Sequence, residues 1–396
     1  MTWQRSIGFC LRWLRVSSAN CNDKDANNVG ALNKASIITF FKSPDVLRHM
    51  SLKQWNDLVF ILRAENMLAR FYALLVRHHM TSIIPEPALR HFINAYRMSA
   101  KQNNITAKEA LSLTTSLSEK SAFVVFLKGA GYAVSNSPAS MGRSYSDIDI
   151  LVPQKQLASV ESFLTMFGWV SAELEDYDEQ YYRKWAHEIP PMTHHSRGTV
   201  LDIHHNLIPP VTGIHFDING FVDEYQEKVN GVTVLKDVAK FYHSAIHLFF
   251  NEDMSSAFRD MTDLYLLATS GDSQPFFNDV LSIATNYGFE REQMLAIYFL
   301  NRQYGVAVPD ELAARLTQME KGLSGLEIKL LSHLILPKHA LLKGGDVGML
   351  QLIGEVRGHM KKMPPHILTY HLIMKSYRGL AKLLFGKHVF LKEEQK

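Results

Sequence analysis

The chain of 396 residues contains only two cysteines, Cys10 and Cys21. Two cysteines cannot build a disulfide framework or a four-cysteine zinc site within one chain, and their scarcity favours a reducing cytoplasm. The formal net charge of +3 is small, so it gives no reason to expect a long nucleic acid as partner. No run of about 18 apolar residues occurs, and the sequence therefore predicts no membrane-spanning helix.

Several familiar signatures are also missing. Arg5, Arg12 and Arg15 interrupt the apolar residues of the N-terminal stretch, which therefore lacks the continuous apolar core of a secretory signal. We expect a cytoplasmic protein. The sequence has no Gly-X-Ser-X-Gly pattern, which argues against a serine nucleophile, and no glycine-rich loop that ends in the Walker lysine and serine.

The apolar pattern divides the chain into three parts. Apolar residues recur at helical spacing from about Ala35 to Leu117 and again from Val238 onward. Between these parts, short runs of β-branched and aromatic residues indicate strands. We therefore predict an α+β fold, in which a small mixed β-sheet core lies between N-terminal and C-terminal helical regions. The predicted units are a peripheral or poorly ordered segment (1–34), a helical region (35–118), the core (119–215) and a C-terminal helical domain (216–396).

Five stretches of the core have strand-like composition and the usual strand length. One further stretch, "QKQLASVESFLTMFG", has helical periodicity and ends at Gly168. A strand, a helix and then a meander of strands are expected in this part. The strand candidates are "AFVVFLKG", "DIDILVP", "GWVSAEL", "YYRKWAHEI" and "TVLDIHHNL".

Two aspartates alternate with two isoleucines in "SDIDILV". A strand would place Asp147 and Asp149 on one face and Ile148 and Ile150 on the other. Two neighbouring carboxylates repel each other unless a cation lies between them, and Mg²⁺ prefers such oxygen ligands. A solvent-facing edge strand would explain the pair equally well, so the pair by itself does not decide the function.

Three other features add to the pair. In "FVVFLKGAGYAV" a strand candidate runs into Lys128 and Gly129, where a glycine would let the backbone approach phosphate oxygens at a helix start. Arg143 lies between this turn and the aspartates, and a guanidinium can bind phosphate through two hydrogen bonds. Asp202 lies in another strand candidate. If the two strands are neighbours, three carboxylates converge, as two-metal phosphoryl transfer requires.

On these residues the sequence resembles the uncharacterised bacterial nucleotidyltransferase family, a branch of the DNA polymerase β-like nucleotidyltransferase superfamily. Its members carry a Lys-Gly turn, then an arginine shortly before a Ser-Asp-X-Asp strand, then a strand with Asp-X-His. The resemblance is close over residues 120–210 and extends to a histidine-bearing helix and an Arg/Asp helix at His247, Arg259 and Asp263. The matching core residues are Lys128, Gly129, Arg143, Ser146, Asp147, Asp149, Asp202 and His204.

The resemblance implies an enzyme that moves a nucleoside monophosphate from an NTP, such as ATP, to a hydroxyl acceptor and releases pyrophosphate. It implies that Asp147 and Asp149 hold two Mg²⁺ ions, with Mn²⁺ as an alternative, and that Asp202 completes the second metal site and helps to activate the acceptor. The expected acceptor is a small molecule, a glycan precursor or a protein hydroxyl. The implied nucleotide-binding residues are Lys128, Gly129, Arg143, Ser146 and His204.

Two alternatives stay open. The first is a catalytically inactive nucleotidyltransferase-fold module that binds a nucleotide or a protein and regulates another process. The second, less favoured, is a histidine-based transition-metal site. It is less favoured because the sequence has no His-Glu-X-X-His, and because His204 and His205 would face opposite sides of a strand. The histidines concerned are His187, His194, His195, His204 and His205.

Overall fold

The computed structural model describes residues 32–321, 323–342 and 348–386. Most of the predicted peripheral segment 1–34, and the charged C-terminal "KEEQK", lie outside the described residues. In the described part of the chain, none of the helices combines the length and the apolar character needed to cross a lipid bilayer.

The N-terminal region is helical, as the sequence predicts. Side chains cap its first two helices: Asn33 accepts a hydrogen bond from the Ser36 N–H, and Ser51 accepts one from the Gln54 N–H. The long fourth helix follows Pro85 and has Pro87 in its first turn, where proline is tolerated. The four helices are α1 (Lys34–Lys42), α2 (Leu52–Ala64), α3 (Leu68–Arg77) and α4 (Glu86–Leu117).

The central part is a mixed sheet of seven strands in the order β3-β4-β5-β2-β1-β7-β6. Strands β2 and β5 are parallel neighbours, as are β1 and β7, and the other neighbouring pairs are antiparallel. The strands are β1 (Val125–Phe126), β2 (Ile148–Leu151), β3 (Trp169–Ser171), β4 (Met192–His194), β5 (Val200–His204), β6 (Gln226–Val229) and β7 (Val232–Leu235). The helices between them are α5 (Lys128–Ser135), α6 (Leu157–Met166), α7 (Asp176–Trp185) and α8 (Ile218–Tyr225).

The C-terminal region is also helical, which confirms the predicted α+β class. Its first two helices, α9 and α10, pack beside the sheet and the N-terminal helices. The helices are α9 (Asp237–Phe250), α10 (Ala257–Ala268), α11 (Ser273–Tyr287), α12 (Glu290–Tyr304), α13 (Asp310–Met319), α14 (Leu323–Leu334), α15 (Gly348–Lys362) and α16 (Pro365–Phe385).

The two helical regions share one hydrophobic core. Phe41 of α1 contacts Phe71 of α3 and Phe258 of α10 edge to face, at centroid distances of 6.0 and 5.9 Å. Trp55 and Phe249 belong to the same buried cluster. Helices that lie far apart in the sequence therefore form one layer beside the sheet, and that layer contains residues of both helical regions.

Each face of the sheet is covered. Ile148 and Ile150 of β2 belong to the cluster that packs under α4 and α6. Leu151 belongs to the cluster on the opposite face, together with Tyr242 and Ile246 of α9. Because side chains alternate along a strand, Asp149 lies on the same face as Leu151 and is directed towards α9.

One predicted strand is wrong. Residues 181–185 of "YYRKWAHEI" are the last part of α7, and only Glu188 makes a β-bridge, to His204. The tyrosines and tryptophan give the stretch strand-like composition, but the helix has acidic residues in its first turn and Arg183 and Lys184 in its last turn. This distribution of charge complements the helix dipole.

The sheet also continues beyond residue 215, where the sequence predicts that the core ends. Strands β6 and β7 form an antiparallel hairpin that adds an edge next to β1. Asn230 and Gly231 make the turn between them with φ values of 50° and 86°. An Asn-Gly pair adopts such a left-handed turn at little cost, so the hairpin has a local cause.

Candidate active site

The site lies where two parallel strands run side by side. Asp149 of β2 is the register partner of Asp202 of β5, and Leu151 is the partner of His204. Register partners in neighbouring strands direct their side chains to the same face of the sheet. Asp147 precedes β2 by one residue. The structure therefore directs Asp149 and Asp202 to one face of the sheet, and the charge of Asp147 interacts with both.

Asp149 is the most buried of the three, with an exposed fraction of 4%. Its Oδ1 accepts a hydrogen bond from Lys128 Nζ at 2.9 Å, and His204 Nε2 lies 3.0 Å from the same oxygen. Burial alone would raise the pKa of this carboxyl, but Lys128 and His204 hold the pKa well below its usual range. Asp149 is therefore ionised at neutral pH.

The pKa values of Asp147 and Asp202 are raised instead. Burial raises the pKa of Asp202 to about 8, with further contributions from the charges of Glu188, Asp149 and Asp147. Burial and the charge of Asp149 also raise the pKa of Asp147. In addition, Asp202 Oδ1 is buried and has no hydrogen-bond partner among the residues that the structure describes. The cluster thus has more negative charge than its neighbours neutralise, and the donors are all oxygens, which fits a divalent cation such as Mg²⁺.

Glu188 is a fourth carboxylate that the sequence reasoning missed. Its Oε2 lies 3.4 Å from His204 Nε2, and its charge has the largest electrostatic effect on Asp202. The adjacent His187 also reaches the site, and its ring centroid is 5.1 Å from that of His204. In the sequence, the adjacent pair of His187 and Glu188 could have indicated a site residue here. The pair lies at the end of "YYRKWAHEI", whose composition indicates a strand and not a site.

Lys128 and Gly129 begin α5, directly after β1, as predicted for a strand that runs into a helix. Lys128 has a φ of 42°, and Gly129 faces the Tyr145 ring. A Cβ atom added at Gly129 would lie 2.5 Å from Tyr145 Cδ1, so only glycine allows this close approach. Ser146 is exposed and its side chain makes a hydrogen bond with Asp147.

Arg143 lies in a second, buried cluster of charges. Its Nη1 is 2.5 Å from Asp263 Oδ2 and 3.5 Å from Asp260 Oδ1. Asp263 also pairs through Oδ1 with Arg70 Nη1 at 2.5 Å. Both arginines are more than nine-tenths buried. Arg143 therefore links the loop before β2 to α10, and its guanidinium would have to leave Asp263 to contact a phosphate.

Arg259, one turn earlier on α10, lies closer to the aspartates. It pairs with Asp260, at 3.1 Å from Nη2 to Oδ1, and not with Asp263. Its side chain is 21% exposed, and its charge acts directly on Asp147. Arg259 thus borders the carboxylate cluster and lies on the Arg/Asp helix that the sequence resemblance identified.

Two histidines of α9 lie beneath the cluster. Burial lowers the pKa of His243 well below its usual value and that of His247 to about 3, and the charge of Lys128 lowers both further. Both rings are therefore neutral. His194 and His195 lie elsewhere, on and after β4, where His194 contacts Trp169 edge to face at a centroid distance of 5.2 Å. The histidines grouped in the sequence thus separate in space into two pairs of neighbouring rings. His187 and His204 lie in the site with centroids 5.1 Å apart, and His194 and His195 stack elsewhere with centroids 5.2 Å apart.

The chain belongs to the uncharacterised nucleotidyltransferase family, whose model matches residues 51–305. The match covers more than half of the 396 residues and confirms the resemblance seen in the core motifs. It begins at residue 51 and so includes helices of the N-terminal region in which no motif is recognisable. The family defines the protein as a transferase of phosphorus-containing groups that carries out nucleotidyl transfer. No curated protein and no solved structure matches the chain.

Proposed function

We propose that the protein is a Mg²⁺-dependent enzyme that transfers a nucleoside monophosphate from an NTP to a hydroxyl acceptor. The acceptor oxygen would form a bond to the α-phosphorus, and the bond from that phosphorus to the pyrophosphate oxygen would break. The hydroxyl would pass its proton to the Asp202 carboxylate. The observation that carries the proposal is the placement of Asp149 and Asp202 side by side on neighbouring strands, where the charge of Asp147 also acts on Asp202. A buried oxygen of Asp202 has no partner in the described residues.

The three aspartates would hold two Mg²⁺ ions, and Mn²⁺ suits the same oxygen donors. When bound, such a pair of ions stabilises both the attacking and the leaving oxygens of an in-line displacement. Asp149 is ionised at all relevant pH values, whereas Asp202 must lose a proton to become a ligand. His204 contacts Asp149 at 3.0 Å and holds that carboxylate in place.

The nucleotide phosphates would lie between α5 and α10. Lys128 supplies a cation at the first residue of α5, where the free N–H groups of the helix favour an anion. Gly129 keeps the backbone accessible, and Ser146 adds an exposed hydroxyl next to Asp147. Arg259 would contact phosphate on the opposite side, while Arg143 would position α10 through Asp263.

The small net charge of the chain argues against one class of acceptor. The formal net charge of +3 gives little electrostatic attraction for a long nucleic acid. We therefore propose a small molecule, a glycan precursor or a protein as the source of the hydroxyl, with the C-terminal helices on the acceptor side. We place the reaction in the cytoplasm.

The proposal is tested by incubating the purified protein with each NTP labelled at the α-phosphate and with panels of hydroxyl acceptors. With Mg²⁺ or Mn²⁺ present we expect transfer of the label and equimolar pyrophosphate. Chelation with EDTA should reduce the rate by at least about 10³-fold, because the ions contribute several kcal/mol to the transition state. Nucleotide binding without transfer to any acceptor would instead support the inactive regulatory module.

The raised pKa of Asp202 predicts that metal binding depends on pH. Metal-free protein keeps a proton on this carboxyl up to pH about 8, whereas the unfolded chain loses it near pH 4. The free energy of unfolding of the metal-free protein should therefore fall as pH rises between these values. Because Mg²⁺ must displace the proton, its apparent affinity should fall about tenfold per pH unit below pH 8.

Melting temperatures measured with and without Mg²⁺ at about pH 6 and about pH 8.5 check this prediction. The Mg²⁺-induced rise should be larger at the higher pH. In Asp202→Asn the part of the pH dependence that lies near pH 8 should disappear, while the contribution of Asp147 remains. An equal Mg²⁺ effect at both pH values in the unmodified protein would show that Asp202 does not titrate with metal binding.

A further inference from the structure

Beside the aspartates lies a separate group of side chains with nitrogen donors. His187, Glu188 and His204 each offer one ligand atom, and these three atoms lie within 4.8 Å of one another. His204 is completely buried, and the rings of the two histidines have centroids 5.1 Å apart. The group comes from two segments, the residues after α7 and the end of β5.

The backbone fixes this arrangement. Glu188 and His204 are partners in an antiparallel β-bridge. The N–H of Ile189 donates to the carbonyl of Ile203 at 3.1 Å, and the N–H of His205 donates to the carbonyl of His187 at 2.9 Å. The three side chains are therefore positioned by backbone hydrogen bonds and do not depend on flexible loops for their approach.

Both histidines of the group also have a ring nitrogen that could bind a ligand. Nδ1 of His187 and Nδ1 of His204 are both buried, and neither finds a hydrogen-bond partner within residues 32–321, 323–342 and 348–386. Buried polar atoms in native proteins normally have a partner. Two such nitrogen atoms in one small group indicate that a bound ligand completes the group.

The donor set selects the chemical class of the ligand. Two imidazoles and one carboxylate suit Zn²⁺, Co²⁺, Fe²⁺ or Mn²⁺, whereas Mg²⁺ prefers oxygen donors alone. Asp149 Oδ1, at 3.0 Å from His204 Nε2, is an adjacent fourth donor. The group therefore prefers a different metal ion from the all-oxygen cluster of aspartates that it borders.

We propose that His187, Glu188 and His204 form a binding site for one transition-metal ion of the zinc type, beside the aspartate cluster. The ion would be held whether or not a nucleotide is present, because the proposed phosphate contacts come from Lys128, Ser146 and Arg259. His204, which the resemblance places among the nucleotide-binding residues, contacts Asp149 at 3.0 Å instead. The proposal does not depend on the nucleotidyl-transfer reaction, so binding of the ion and turnover of nucleotide are separate results.

The experiment uses the full chain after treatment with EDTA and removal of the chelator. Zn²⁺ is titrated by calorimetry in excess Mg²⁺, so that the all-oxygen cluster is saturated, and Co²⁺ is titrated by its visible absorption. The variants are His187→Gln and Glu188→Gln, of which the second is isosteric and lies at a partly exposed position. The controls are His195→Ala, which removes an exposed histidine outside the group, and Asp147→Asn.

We expect one equivalent of Zn²⁺ to bind, with an affinity at least about 100-fold lower in either ligand variant, since even outer residues of metal sites contribute 10- to 100-fold. His195→Ala and Asp147→Asn should bind as the unmodified protein does. The proposal is overturned if the unmodified protein binds no Zn²⁺, if Glu188→Gln binds it equally well, or if Asp147→Asn weakens binding as much as the ligand variants do.

Discussion

Replacement of Asp149 by asparagine is expected to lower the rate of nucleotidyl transfer by at least about 10³-fold. Asparagine keeps the size of the side chain but loses the charge that would hold the metal ions, which are worth several kcal/mol in the transition state. The change also removes the anion that pairs with Lys128 at 2.9 Å and contacts His204 at 3.0 Å. The rate of label transfer from NTP at saturating Mg²⁺ measures the effect.

Asp279→Asn is the matched control for this variant. Asp279 is an exposed aspartate of α11, so its replacement makes the same chemical change at the surface, and the rate should stay unchanged. Melting curves should show that both variants are folded. A rate for Asp149→Asn within tenfold of the unmodified protein would rule out Asp149 as a ligand of the catalytic ions.

Replacement of Arg70 by methionine is expected to lower the free energy of unfolding by about 3 to 5 kcal/mol. Arg70 is 1% exposed, pairs with Asp263 at 2.5 Å, and donates to the carbonyl oxygens of Ala139 and Met141. Removal of one partner from a buried pair leaves the other charge uncompensated, which is the reason for the large loss. Urea denaturation followed by circular dichroism measures the change.

Arg48→Met provides the comparison. Arg48 pairs with Asp45 at 2.9 Å, but both side chains are more than half exposed. Surface pairs of this kind contribute at most about 1 kcal/mol. If Arg70→Met were no more destabilising than Arg48→Met, Arg143 alone would be compensating Asp263, and the buried cluster would not depend on α3.

The parts of the site that could be predicted are those in which local pattern and chemistry coincide. Alternation in "SDIDILV" places Asp149 opposite the two isoleucines, and both isoleucines are indeed buried in the core. The change from strand to helix at Lys128 is equally local, because glycine and small residues follow a β-branched run. The family match over residues 51–305 confirms the family that these motifs indicated.

The remaining parts depend on contacts that no local pattern specifies. The stretch around Tyr181 is helical although its composition favours a strand. The charges at its two ends favour the helix, and the helix packs against α16, where the Tyr177 hydroxyl lies 2.8 Å from His371 Nδ1. Glu188 then enters the site through a single bridge to β5. The role of Arg143 could not be predicted for the same reason, since Asp263 joins it from a distant helix.

The contacts of Arg70 have a consequence for synthesis of the chain. Its partners Thr262 and Asp263 follow it by 192 and 193 residues. At ribosomal rates of about 5–20 residues per second, these partners are made roughly 10 to 40 s after α3. During this interval the N-terminal helices expose apolar surface that only later helices cover. The buried cluster around Arg70 can therefore form only after α10 has been synthesised.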